Sequence, residues 1–250
     1  MSCDPGKPSK IIPITPEPKD GTEPGYVPLF ASEQKVYSRS ISGVFARWRW
    51  VMVLLTQLFF YGMPWLQWGE RQMLLFDLEA RRFYLFGLVL YPQDFIYLTG
   101  LLIISALALF LFTAVAGRLW CGFTCPQTVY TEIFMWIESK VEGDRSARMR
   151  IDKKGWTFEK IWKKSLKQFL WIALSLWTGF TFVGFFVPIR ELAVELLSLQ
   201  GNWQIFWGLF YGFATYGNAG YMREQVCKYM CPYARFQSAM FDKDTMIVSY

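Results

Sequence analysis

Four stretches of this chain, residues 50–69, 95–117, 168–189 and 196–222, run for 20 residues or more without a charged side chain. About 20 apolar residues, rising 1.5 Å each, cross the hydrocarbon core of a bilayer. A soluble helix of that length carries charges on the face that meets water. The pattern therefore predicts four transmembrane helices in an all-α integral membrane protein. Tryptophans 48, 50, 65 and 68 stand at the two edges of the first span, where interfacial anchors belong. That span starts too late and runs too long for a cleavable signal peptide, so it is expected to stay in the membrane.

Charge sets the expected orientation. Of the 26 lysines and arginines, 22 lie before the first span, between the second and third, or after the fourth. Basic loops stay on the cytoplasmic side, so both termini and the long central loop are expected there. The net charge of +6 is then a signature of topology and does not point to nucleic acid. No acidic residue lies within any span, which argues against proton-coupled transport. Histidine is absent, which removes histidine-ligated haem, zinc–histidine sites and histidine general bases.

The chemistry falls to cysteine. Four of the five cysteines form two copies of one hexapeptide, Cys121-Gly-Phe-Thr-Cys-Pro126 and Cys227-Lys-Tyr-Met-Cys-Pro232. Each follows a span and precedes an amphipathic stretch. Corresponding cysteines are 106 residues apart. Two spans and one hexapeptide per half describe a parallel pseudo-repeat, which would set both motifs at one depth on the cytoplasmic side. In that reducing compartment the thiols are expected as ligands rather than disulfides. Proline suits the first turn of a helix, so Pro126 and Pro232 should open new helices with Cys125 and Cys231 at their N-caps. The helix dipole there, with Arg118, Arg223 and Lys228 nearby, would favour thiolates. The motif matches the tail of the ferredoxin run Cys-x₂-Cys-x₂-Cys-x₃-Cys-Pro. Neither copy completes a four-thiolate site alone. Together, Cys121, Cys125, Cys227 and Cys231 suffice for one [4Fe–4S] cluster, a tetrathiolate Zn²⁺ or a Cu(I) site, to which Met222 and Met230 would add soft donors. Cys3 is read as a spare thiol.

The chain divides into a Pro-rich, basic N-terminal segment (1–46), a first transmembrane pair ending in the first motif (47–126) and a cytoplasmic amphipathic loop (127–166). A second pair ends in the second motif (167–232), and residues 233–250 begin a cytoplasmic C-terminal region. Within the loop, 127–142 carries apolar residues at helical spacing, 143–154 is a charged link and 156–167 is a second basic amphipathic piece, so interfacial helices are expected. Residues 70–94 could fold as a short hairpin on the outer face. Gly208 and Gly212 make a small-xxx-small pair suited to close helix packing. Asn218, costly in lipid, should face a partner helix or a site.

The sequence resembles the cytochrome c oxidase accessory protein CcoG family, also called FixG or RdxA, and is related to NapH- and NosR-type membrane electron-transfer proteins. The residues that carry the likeness are Arg118-Leu-Trp-Cys-Gly-Phe-Thr-Cys-Pro-Gln127, Cys227-Lys-Tyr-Met-Cys-Pro-Tyr-Ala-Arg-Phe-Gln237 and Tyr91-Pro-Gln-Asp-Phe-Ile-Tyr97. The likeness runs from about residue 26 onward. It implies a bacterial inner-membrane redox protein that assists assembly of cbb3-type cytochrome oxidase and reduces Cu(II) to Cu(I). It implies oxidase subunits or copper-delivery proteins as partners. It also implies a two-cluster ferredoxin domain after the fourth span, whose full cysteine run is not among these 250 residues. The alternative is a membrane anchor or assembly scaffold whose redox chemistry is carried elsewhere. Metal transport ranks last, because few polar side chains are available to line a path.

Overall fold

The computed structural model describes residues 37, 43–69, 71–116, 119–153, 155, 157–198 and 201–239. The expectations for Cys3, Arg118 and almost all of the N-terminal segment lie outside these residues, as does the stretch 240–250.

The spans are helical, with changed limits. Helix α1 is Val44–Gly62, α2 is Phe95–Ala116, α6 is Phe158–Val183 and α8 is Asn202–Thr215. Among the described residues, two helices are long and apolar enough to cross a membrane by length and composition, Pro92–Val115 and Phe158–Val183. The other two expected spans fall short as α-helices. After the arginines at 47 and 49, α1 offers only residues 50–62, about 20 Å of rise. Past Met63-Pro64-Trp65, a single 3₁₀ turn, the chain turns into strand rather than reaching residue 69 as helix. Helix α8 has 14 residues and passes into a π-helical stretch, Tyr216–Met222, and a second, Val226–Met230, carries Cys227.

The expectation of an all-α fold is corrected at the end of the bundle away from the cysteines. Strands β1 (Gln67–Trp68) and β2 (Arg71–Gln72) pair antiparallel, and β3 (Leu74–Asp77), β4 (Arg82–Leu85) and β5 (Leu88–Leu90) form a three-stranded meander. The hairpin expected within 70–94 is present, with Leu74 opposite Leu85 and Asp77 opposite Arg82. Gln72 ties this cap to the end of α6. Its buried amide donates to the carbonyls of Leu74 and Gly184, 2.8 Å each, and its carbonyl accepts from the N–H of Ile189 at 3.2 Å.

Three linking segments also differ from expectation. The charged link holds helix α5, Arg145–Lys153. The basic piece before the third span is not separate, because α6 runs unbroken from Phe158 and ends at Val183, short of Pro188. The link between the third and fourth expected spans is covered by helix α7, Ile189–Ser198.

Helix α6 is built inside out relative to a soluble helix. Lys167, Trp171, Ser175, Thr178, Gly179 and Thr181 face inward, while Phe169, Ile172, Leu176 and Trp177 face outward. Small and polar residues at helix contacts with large apolar ones outside suit a lipid surround, where burial of leucine brings no gain over lipid. Its tightest partner is α8. A Cβ on Gly179 would stand 2.2 Å from the carbonyl oxygen of Gly208 and 2.8 Å from the nitrogen of Gly212. The expected close approach at Gly208 and Gly212 is present, and Gly179 is its other half.

At the cysteine end, α4 (Pro126–Glu142) packs against α6 instead of lying free in the interface. Phe134, Ile137, Trp171 and Ala219 form a buried core, with Phe134 and Trp171 ring centroids 5.1 Å apart and the Trp171 indole donating to the Phe134 carbonyl at 3.2 Å.

Candidate metal centre

Both hexapeptides fold alike. The first ends helix α3 (Leu119–Phe123), the second ends the π-helical stretch Val226–Met230, and each second cysteine sits in extended backbone. The N–H of Cys125 donates to Trp120 at 3.0 Å and that of Cys231 to Val226 at 2.9 Å, five residues back in each case. The following proline then opens a helix, α4 at Pro126 and α9 (Pro232–Ala239) at Pro232, as expected. Cys125 is the N-cap of α4, and its side chain makes no cap hydrogen bond. Its sulfur is therefore not committed to the helix it precedes.

None of these four cysteines is in a disulfide, and all four are half-buried. Burial pushes the Cys227 thiol above its ordinary range, and the charges of Cys125, Cys231, Cys121 and Glu224 push it the same way. Sulfurs from both motifs thus share one electrostatic environment. Among the described residues no three His, Cys, Asp or Glu side chains gather tightly enough for a single metal ion. A [4Fe–4S] cube sets its four thiolates further apart than one tetrahedral ion does. The all-sulfur donor set matches that cluster, and the chain has no imidazole to compete with it.

The expected cationic tuning is corrected at two positions. Arg223 turns to Glu138, 2.9 Å away, and lies over the Trp171 ring, while Lys228 pairs with Glu224 at 3.5 Å. Desolvation is the reason for the first. Glu138 is buried on α4 and needs cations, which it takes from Arg223, Arg148 at 3.7 Å and Lys167 at 3.8 Å. Burial alone would raise the Glu138 carboxyl, but the Arg223 hydrogen bond and the three positive charges outweigh it and hold it below its usual range. Lys167 also pairs with Glu142 at 2.7 Å. Arg118 lies outside the described residues.

Two glutamines join the motifs. The Gln127 amide, two residues past Cys125, donates to the carbonyls of Asn218 at 2.9 Å and Arg223 at 3.1 Å, just ahead of the second motif. Asn218 thus makes its cross-segment contact through the backbone. The Gln237 amide on α9 donates to the Cys121 sulfur at 3.3 Å. Within the first motif, the Thr128 hydroxyl holds the Cys121 carbonyl at 2.6 Å. Sequence reasoning gave neither glutamine a role. An amide immediately after a Cys-Pro step, at the start of an apolar helix, was the available signal for Gln127.

Comparison with known proteins bears on the same cysteines. Residues 98–142, with Cys121 and Cys125, match a model described as a 4Fe-4S binding domain, and residues 222–250, with Cys227 and Cys231, match a 4Fe-4S dicluster domain. Both matches support an iron–sulfur cofactor. The chain is 41% identical to protein RdxA and 39% identical to protein RdxB of Cereibacter sphaeroides, and 38% identical to nitrogen fixation protein FixG of Rhizobium meliloti. Each match covers 89% of this chain but 49%, 48% and 44% of the respective relative. The chain thus spans about half the length of the curated relatives it matches. No solved structure matches. Through most of its length, the chain matches the FixG/RdxA family.

Proposed function

We propose that Cys121, Cys125, Cys227 and Cys231 together hold one [4Fe–4S] cluster at the cytoplasmic end of a four-span bundle, and that the protein moves electrons there. When bound, the cluster would accept and release one electron at a time. The residues around it do the rest. Pro126 and Pro232 fix where each thiol leaves its helix, Gln127 holds the approach to the second motif, and the half-buried setting limits water. Resemblance to FixG and RdxA makes the reading specific: an assembly factor for cbb3-type oxidase in the bacterial inner membrane, with both termini cytoplasmic. In that reading Cu(II) is the substrate, and each ion takes up one electron to leave as Cu(I) for the oxidase or a copper-delivery protein. The observation that carries the proposal is geometric: Gln237, which follows the second motif, donates to the Cys121 sulfur of the first at 3.3 Å, and Gln127, which follows the first, bonds the Arg223 carbonyl just ahead of the second at 3.1 Å.

The test is elemental and spectroscopic. Protein purified without oxygen should hold about four iron and four sulfide per chain and give a cluster EPR signal on reduction. Replacing all four cysteines by serine should remove the iron and the Cu(II) reduction. Iron and reduction unchanged in that variant would refute the assignment.

A scaffold role is the second reading. An 18-residue apolar stretch within Pro92–Val115 has no residue buried within the chain, so most of that flank is open to lipid or to a partner helix. Oxidase subunits that co-purify equally with the quadruple serine variant would favour it.

A further inference from the structure

We infer that Gln237 is a positioning residue for the proposed cluster, one that sets its reduction potential through the Cys121 sulfur; this rests on the four-thiol reading above.

Gln237 is polar, yet only 3% of its surface is exposed, and its amide donates 3.3 Å from Nε2 to Cys121 Sγ. Burying an amide is costly unless it is bonded, so the contact has a structural reason to persist. The side chain is also aimed from outside the first motif. Tyr233, Phe236 and Gln237 share one face of α9, and that face lies on the end of α2. Phe110 meets the rings of Tyr233 and Phe236 at 6.4 and 5.8 Å, and the Tyr233 hydroxyl bonds the Thr113 hydroxyl. Three contacts on two successive turns thus fix α9, and with it the direction of the amide. A residue that follows the second motif thereby reaches a thiol of the first.

An N–H bond to a ligating sulfur draws electron density from it. The reduced cluster, with one more negative charge, gains more from that bond than the oxidised one. Hydrogen bonds to the sulfurs are among the determinants of cluster potential. Removing this donor should therefore lower the potential. Gln127 serves a different end, because its amide bonds backbone carbonyls, those of Asn218 and Arg223.

The experiment is an anaerobic EPR-monitored redox titration of the full chain, wild type against Gln237→Met and Gln237→Glu, with iron and sulfide measured on the same samples. Methionine fills the same volume without a donor, and glutamate keeps the shape while replacing the donor with a carboxylate. The expected result is iron retained and the reduction equilibrium weakened about tenfold in Gln237→Met, which is 59 mV for a one-electron couple. Gln237→Glu should move at least as far in the same direction. Full iron with an unchanged potential in both variants would overturn the inference and leave the four-thiol site intact. Loss of iron from both would also overturn it, because the side chain would then serve to build the site and not to tune it. A wild type without iron would remove the four-thiol reading itself, and this inference with it.

Discussion

Arg223 places its guanidinium 2.9 Å from the Glu138 carboxylate, although it stands only four residues before Cys227. Its own backbone is in the left-handed region, with φ +33°, a conformation that costs a non-glycine residue about 1–3 kcal/mol. Three bonds hold it there: its N–H to Asn218, its Nε to Gly220 and its carbonyl from Gln127. The ion pair therefore anchors the strained turn that leads into the second motif. Removing one partner of a buried pair costs about 3–5 kcal/mol, because the other charges remain buried. Glu138→Gln should lower stability by about that much in a thermal unfolding measurement in detergent.

The same carboxylate predicts a pH dependence. Its folded value lies below the ordinary 4.5, so its stabilisation is full above pH 4.5 and is lost as pH falls through the depressed value. Wild type and Glu138→Gln should differ most near neutral pH and converge below pH 4.5. A gap that widens on acidification would show that the carboxylate is not held in its charged form.

The Cys227 thiol should titrate above the ordinary range in the cluster-free protein, because burial and the neighbouring sulfurs both favour its neutral form. Cys121, Cys125 and Cys231 changed together to serine removes the second cause and keeps the first. The pH midpoint of Cys227 alkylation should then fall partway and stay above that of an exposed thiol, about 8.5. A midpoint that does not move would mean that the sulfurs of the two motifs do not sense one another.

Much of this was readable from the chain. The uncharged runs located the helices, and the Cys-Pro step located the starts of α4 and α9, because proline tolerates few other helix positions. What escaped were contacts between segments far apart in sequence. Charge counting put Arg223 beside the thiols, but the side chain follows the larger demand of Glu138, buried on the apolar face of α4. A carboxylate one residue past Ile137 and three before Val141 was the available signal for that pair. The limits of the spans escaped for a local reason. An uncharged run does not distinguish α-helix from the strand that follows α1 or the π-helical stretch that follows α8.

Gln72 had no signature in sequence either, yet it is the pin between the sheet and the α6–α7 turn. Gln72→Leu would keep the volume and strand the carbonyls of Leu74 and Gly184 and the N–H of Ile189. Buried groups left unpaired cost about 1–3 kcal/mol each, with water recovering part of that near the surface. A loss of about 3 kcal/mol is expected, together with faster proteolysis within 67–90. Because the thiols sit at the other end of the bundle, iron content should not change.

The glycines of the α6–α8 contact separate what pattern and geometry say. Pattern marks Gly208 and Gly212 as the close-packing pair. Geometry ranks them differently. A Cβ on Gly208 would meet nothing within 4 Å, since only its carbonyl is approached. A Cβ on Gly212 would lie 3.2 Å from the Ser175 carbonyl and 3.3 Å from Leu176 Cδ2, which needs a small adjustment. A Cβ on Gly179 would meet the Gly208 carbonyl at 2.2 Å, and backbone cannot move aside as a side chain can. The helices would have to separate, with an overpacking cost of about 1–3 kcal/mol or more. Alanine scanning of the three by thermal unfolding in detergent should therefore give Gly179→Ala as severely destabilised, Gly212→Ala as mildly so and Gly208→Ala as near neutral. Equal losses at Gly179 and Gly208 would mean that the two helices cross with a different register.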